Sequence, residues 1–133
     1  MSIHEEWATA ILRRTKRWEF RRRCGLESGM RVWLYATAPR AEIVGYFTIG
    51  EIRRVNAAHP DPRVAKAGFL TVPDLRVYLK GLEDGYAIEP TKPRRLSRPV
   101  RLSAGQRGPQ SYRFLYSDTD RSLLARLAKA AGP

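Results

Sequence analysis

The chain has 133 residues and 15.2 kDa, with 25 Lys and Arg against 13 Asp and Glu, a net charge of +12. That length suits one domain, and a hydrophobic content of 43% is enough for one core, which excludes a wholly disordered basic tail. A pI near 10.7 points to a polyanionic partner, nucleic acid ahead of an acidic membrane surface.

Cys24 is the lone cysteine, so no internal disulfide and no thiolate zinc cluster is expected. His4 and His59 are the only histidines and lie far apart, so no metal site and no cofactor is expected either. Glu5 and Glu6 stand where a signal peptide needs positive charge, and no apolar run approaches a membrane span. The expected setting is the reducing cytoplasm.

Residues 2–4 are short and extended. Glu5 to Arg14 reads as a helix, because Trp7, Ala8, Ile11 and Leu12 form one apolar stripe. From Arg17 to Arg21 the period becomes two, the signature of a strand. Gly25 to Gly29 is a turn. Arg31 to Thr37 is β-branched and aromatic, hence a strand, and Pro39 ends it. Ala41 to Val55 is a long strand candidate, with Gly45 and Gly50 as bends or bulges. Asn56 to Ala67, with Pro60 and Pro62, reads as a loop. Thr71 or Pro73 opens a helix that runs to Lys80. Tyr86 to Glu89 is a strand, and Arg94 to Leu102 a proline-interrupted edge strand or clamp. Gln110 to Leu115 is a further strand candidate. Ser117 and Asp118 offer N-caps for a last helix, Arg121 to Ala130, with Leu123, Leu124 and Leu127 on one face. About five to seven strands with two or three helices and no βαβ alternation indicate an α+β fold: a small β-barrel decorated by helices.

The charge is concentrated. Arg13, Arg14, Lys16, Arg17, Arg21, Arg22 and Arg23 crowd one segment, opposed only by Glu19. Lys92, Arg94, Arg95, Arg98, Arg101, Arg107 and Arg113 crowd a second that contains no acid. Such clusters release counterions from a phosphate backbone, and arginine suits bidentate phosphate contacts and stacking on bases. A solvated arginine-rich surface is the competing explanation, but acid is depleted where base is dense.

On a strand, Trp18 and Phe20 point one way and Arg17, Glu19 and Arg21 the other. Glu19 is then placed to bridge its basic neighbours. The same spacing serves a pre-organised cation cleft or an exposed ion-pair ladder worth little. Trp33 and Tyr35 share a face opposite Leu34. Either they are free for a binding cleft, where Tyr46 and Tyr112 would join them in stacking bases, or both faces of that strand are buried.

The run from Ser2 to Arg21, with Ile11-Leu12-Arg13-Arg14-Thr15-Lys16 followed by Glu19-Phe20-Arg21, resembles the opening of the ASCH family. This is a branch of the PUA-like superfamily of small β-barrels. The likeness continues through 32–37, 42–50 with Val44-Gly45, 86–89 and Pro109-Gln110-Ser111-Tyr112, covering most of residues 1–116. Residues 117–133 are then a C-terminal helical extension, either capping the barrel or making a dimer contact. The resemblance implies binding of RNA or modified nucleosides in a cleft lined by Lys16, Glu19 and Arg21, with His4 at its rim. One departure stands out: the family's glycine before the lysine is Arg14 here. The simpler expectation is that the helix ends differently. The other is that the same backbone is kept, at about 1 kcal/mol of strain, with the extra cation serving a ligand.

One branch of the family hydrolyses acetylated cytidine with a lysine, a threonine and an acid. Glu19 occupies that threonine's place, which argues against amide hydrolysis here. Metal-independent RNA cleavage needs a base, a proton donor and cations for the phosphorane. Lys16, Glu19, Arg21, Tyr46 and Ser111, with His4, are the candidates.

The expectation is therefore a nucleic-acid-binding domain, RNA ahead of DNA, with a basic cleft beside the barrel. The binding set is His4, Arg14, Lys16, Arg17, Glu19, Arg21, Arg22, Arg23, Tyr35, Arg94, Arg95, Arg98, Gln110, Ser111, Tyr112 and Arg113. Residues 92–107 are expected as a clamp over the strand. The alternatives are an enzyme acting on RNA or a nucleoside in the same cleft, and a module for an acidic protein. The oligomeric state, monomer or weak dimer, is left open.

Overall fold

In a computed structural model describing residues 1–132, one mixed sheet carries four helices. The elements are β1 (Ser2–Ile3), α1 (Glu5–Leu12), β2 (Glu19–Arg21), β3 (Arg31–Ala36), β4 (Glu42–Asn56), α2 (Pro62–Ala67), α3 (Val72–Tyr78), β5 (Asp84–Val100) and α4 (Arg121–Ala131). The strand order is β1-β3-β4-β5-β2, with β1 parallel to β3 and every other pairing antiparallel.

The sheet's edges, β1 and β2, share no backbone ladder, so the expected barrel is an open five-stranded sheet. Side chains span the gap between them: Arg21 Nη2 on β2 donates to the Ser2 carbonyl on β1 at 3.0 Å. β4 and β5 are long and bend at irregularities in their register, one of them between Ile43 and Gly45. A Cβ on Gly45 would lie 2.6 Å from both the Arg94 carbonyl and Leu12 Cδ2, so only glycine lets the strand and helix approach this closely.

Three sequence expectations change. Residues 56–67 are not all loop: Asp61 caps the short helix α2 by accepting from the Arg63 N–H, Pro62 opens it, and Val64 and Ala65 are buried. The strands expected at 86–89 and 94–102 are one strand. β2 covers only Tyr86 to Ile88 of it; the part bearing Pro93 and Pro99 has β4 alone as a neighbour and is an edge there. Lys92 to Val100 is thus sheet rather than clamp. Residues 110–115 form no strand. That segment is fastened at single points: the Ser2 N–H donates to the Ser111 carbonyl, Ser2 Oγ to the Pro109 carbonyl, and the Gly25 N–H to Tyr112 Oη.

The core has three parts. Ala8 and Ile11 of α1 pack on Val32, Leu34, Phe47, Ile49 and Ile88. α2 and α3 cover Phe20, Val55 and Ala87. α4 puts Leu123 and Leu127 on Ile43, Leu96 and Val100, so it caps the second face of the sheet. Its N-cap position is Asp120, not Ser117 or Asp118. Leu34 is core as expected, while Trp33 and Tyr35 are half-buried against the α4 cluster, so that strand is covered on both faces.

Candidate functional site

The end of α1 sets the site. The Thr15 N–H donates to the Ala10 carbonyl and the Arg14 N–H to the Ile11 carbonyl, the paired bonds of a Schellman cap. That cap places Arg14 at the position glycine usually holds, with φ at +63°. The left-handed helix ending that the resemblance implies is therefore present with arginine in the glycine position, contrary to the simpler expectation. The turn aims Lys16 inward.

Lys16, Glu19 and Arg21 are all buried, so the exposed ladder is ruled out. Glu19 Oε1 is 3.4 Å from Lys16 Nζ, and Glu19 Oε2 accepts from Arg21 Nη2 at 2.8 Å. Lys16 Nζ also donates to the Trp18 carbonyl at 2.8 Å and the Gly68 carbonyl at 2.6 Å. An ammonium has three N–H bonds; two go to these carbonyls, and the carboxylate of Glu19 lies beside the charge. Its charge lies over the Trp7 and Phe20 rings, 5.4 Å from each centroid. Burial pushes the Lys16 ammonium's pKa down, and Glu19 opposes that shift.

Arg21 has capacity to spare. Its Nη1 donates to Ser111 Oγ at 3.1 Å, and its buried Nε has no partner among the described residues. A buried guanidinium N–H without an acceptor is uncommon and carries a desolvation cost.

These groups face a cavity of about 460 Å³, within the roughly 300–1,000 Å³ of small-molecule sites. Its walls include Trp7, Phe20, Leu70 and Tyr78; its polar lining includes His4, Thr37, Asp74 and Gln110. Burial pushes the Tyr78 phenol's pKa up, and its Oη donates to the Phe20 carbonyl at 3.3 Å. Two cations, Lys16 and Arg21, are matched by two acids, Glu19 and Asp74. The site is thus aromatic-walled and close to neutral rather than basic. Such a surface suits a planar heterocycle with its own donors and acceptors better than a bare phosphate.

Other expected residues go elsewhere. Arg14, Arg17, Arg22 and Arg23 are exposed, with Arg22 Nη1 donating to the Tyr78 and Lys80 carbonyls. Arg94, Arg95 and Arg98 are exposed on the far half of β5. Tyr35, Tyr112 and Arg113 line a separate cavity of about 530 Å³ between β3 and the 102–124 segment. That cavity is the larger and carries Arg31, Gln106 and Arg107 among aliphatic and aromatic groups, but it does not include Lys16, Glu19 or Arg21, and Arg113 there is held by both Asp120 oxygens. Tyr46 packs on Trp33, with Arg31 4.3 Å over its ring, so the structure separates it from Lys16, Glu19, Arg21 and Ser111. Of the second basic segment, only Gln110 and Ser111 reach the site.

Sequence reasoning missed Thr37, Gly68, Asp74 and Tyr78. Asp74 and Tyr78 lie four apart, and so on one side of the expected helix, which is the signal that was available.

The sequence model of the ASCH domain family matches residues 1–93. An ASCH domain-containing ribonuclease from Zymomonas mobilis is 28% identical over 131 residues, covering 94% of this chain and 88% of that protein. The crystal structure of ASCH from Zymomonas mobilis superposes with a TM-score of 0.80 at 28% identity, covering 94% of this chain and 92% of that one. A tyrosine-to-phenylalanine variant of that protein gives a TM-score of 0.79 at 27% identity, covering 94% of each chain.

Proposed function

This chain belongs to the ASCH domain family, and from that premise we propose that it binds single-stranded RNA, taking one base into the cavity between β1, β2 and α3. The observation that carries this is Arg21: a buried guanidinium, fixed by Glu19 and the Ser2 carbonyl, at the wall of an aromatic-walled, charge-balanced cavity. Trp7 and Tyr78 supply stacking surface; Asp74 and Gln110 supply an acceptor and a mixed donor–acceptor for base edges. The exposed arginines outside attract the backbone, so the net charge of +12 gives affinity and the cavity gives selectivity.

The test is a fluorescence-anisotropy titration with labelled RNA oligomers across a salt series. Affinity falls steeply with salt. Replacing Asp74 by Asn and Gln110 by Ala weakens binding without changing the slope, whereas replacing Arg94, Arg95 and Arg98 together by Ala makes the slope shallower. No RNA binding at low salt overturns the proposal.

RNA cleavage is a second reading, favoured by the relative named as a ribonuclease and by Ser111 Oγ beside Arg21 Nη1. A base takes the proton of the 2′-hydroxyl, that oxygen attacks the adjacent phosphorus, and an acid protonates the departing 5′-oxygen. His4 and Asp74 line the cavity and are the proton-carrying groups; Arg21 meets the charge that builds on the phosphorane. Lys16, which donates to the Trp18 and Gly68 carbonyls beside Glu19, adds positive charge at the cavity wall. Incubating labelled RNA with and without a chelator tests this: cleavage that survives chelation and is lost in His4→Ala supports it, and cleavage unchanged in that variant assigns the activity to a contaminant.

A further inference from the structure

α2 ends in the same cap geometry as α1. The Leu70 N–H donates to the Ala65 carbonyl and the Phe69 N–H to the Lys66 carbonyl, again a Schellman pair. The residue in the glycine position is Phe69, with φ at +65°. A bulky side chain is a true outlier there. A glycine does exist one position earlier, but it serves another need. A Cβ on Gly68 would fall 2.2 Å from the Phe20 ring and 2.9 Å from the Trp18 carbonyl.

The turn cannot relax, because its carbonyls are gripped. Lys16 Nζ donates to the Gly68 carbonyl and the Arg17 N–H to the Ala67 carbonyl. The motif lysine thus holds the α2–α3 turn in the form that turns Phe69 outward. The residue is 43% exposed, the opposite of what apolar burial favours, and its ring sits 6.0 Å from the Trp7 ring that walls the cavity. Tyr78, 39% exposed, is at the same cavity. Strain kept at the rim of a site, with so much of the side chain left exposed, fits a functional constraint.

We propose that Phe69 is a stacking platform for the RNA base that neighbours the one inside the cavity. This rests on the RNA-binding reading and adds a second contacted nucleotide to it. Trp7 joins the two positions, since its ring touches both the cavity and Phe69. Single-strand binders stack successive bases on exposed rings in this way, beside cations that track the backbone. Cations are present at the same rim: Arg17 is exposed next to the gripped turn, Lys66 is exposed on α2, and Arg22 is fixed on the Tyr78 carbonyl. They favour a polyanionic strand over a neutral apolar partner.

The experiment compares wild type with Phe69→Gly, Phe69→Leu and Phe69→Trp in anisotropy titrations against a labelled RNA hexamer, with the Tm of each. Phe69→Gly should lower RNA affinity by roughly 5- to 150-fold, the range for losing one stacked base. Its Tm should stay level or rise, since glycine suits the positive φ. Phe69→Leu should bind as poorly as the glycine variant, and Phe69→Trp should bind as wild type. Unchanged affinity in Phe69→Gly overturns the inference while leaving the RNA reading in place. A fall in its Tm also overturns it, because the ring is then a packing element. Failure of the wild-type protein to bind the hexamer overturns the RNA reading and this inference with it.

Discussion

Glu19→Gln removes one charge and almost no volume, so its effect isolates electrostatics from packing. The carboxylate is buried between Lys16 and Arg21, with its side chain only 10% exposed and contacts of 3.4 and 2.8 Å. At an effective dielectric of about 20, a unit pair near 4 Å attracts by about 4 kcal/mol. Loss of one partner from a buried pair costs about 3–5 kcal/mol, because the remaining charge is left uncompensated. Here two cations lose the same counter-charge, and Lys16 and Arg21 cannot swing out to water without releasing the Gly68 and Ser2 carbonyls. We therefore expect Glu19→Gln to cost about 3–5 kcal/mol, a large share of the roughly 5–15 kcal/mol typical of a domain. The Tm falls by on the order of 10–20 °C. Urea unfolding followed by circular dichroism measures this directly, provided the m-value is unchanged. A loss under about 1 kcal/mol, the value of an exposed pair, refutes the reasoning.

Arg14→Gly should raise stability by about 0.5–1 kcal/mol, since glycine removes the left-handed penalty at φ +63° and gives back part of it as unfolded-state entropy. A lower urea midpoint in that variant would show that the arginine side chain stabilises the cap. Asp120 is held by Arg113 and the Tyr116 N–H, which bring its carboxyl down to about 2 from the ordinary 3.8. The unfolded chain takes up that proton first, so the contribution is full above pH ~4 and lost as pH falls toward 2. A Tm series from pH 5 to 2 should therefore drop less steeply in Asp120→Asn than in wild type, and parallel curves would dismiss the pair as a source of acid sensitivity. Gly45→Ala should cost about 1–3 kcal/mol, because its Cβ meets the Arg94 carbonyl backbone; a variant as stable as wild type would show that β4 can shift away.

Much of this was legible in the residues. The stripe of Trp7, Ala8, Ile11 and Leu12 gives α1, and the Leu123–Leu127 spacing gives α4. The alternation from Arg17 to Arg21 puts Glu19 and Arg21 on one side, but it says nothing of burial, and all three residues of β2 are buried. α2 is too short for a helical period to emerge, and Pro62 looks like a breaker until Asp61 is seen capping it. Residues 110–115 carry strand-like side chains, yet their backbone is held at points rather than along a ladder. The two basic segments look like one cleft in the sequence. The sheet order sends most of the second to the far half of β5, so the cavity itself is near neutral. No pattern announces Phe69, because a positive φ at a non-glycine residue is imposed by the partners of the turn.

In the proposed complex an RNA base enters the cavity and meets Arg21. The most direct measurement is NMR of the isotope-labelled protein titrated with an RNA hexamer, following the Arg21 Nε–H and the indole N–H signals of Trp7, Trp18 and Trp33. With a base in the cavity, Arg21 Nε–H and Trp7 shift together and saturate with the binding curve, while Trp33, on the α4 face, stays still. Shifts confined to the Trp33 indole and to the backbone amides of Arg94, Arg95 and Arg98, with Arg21 Nε–H unmoved, would contradict entry of the base.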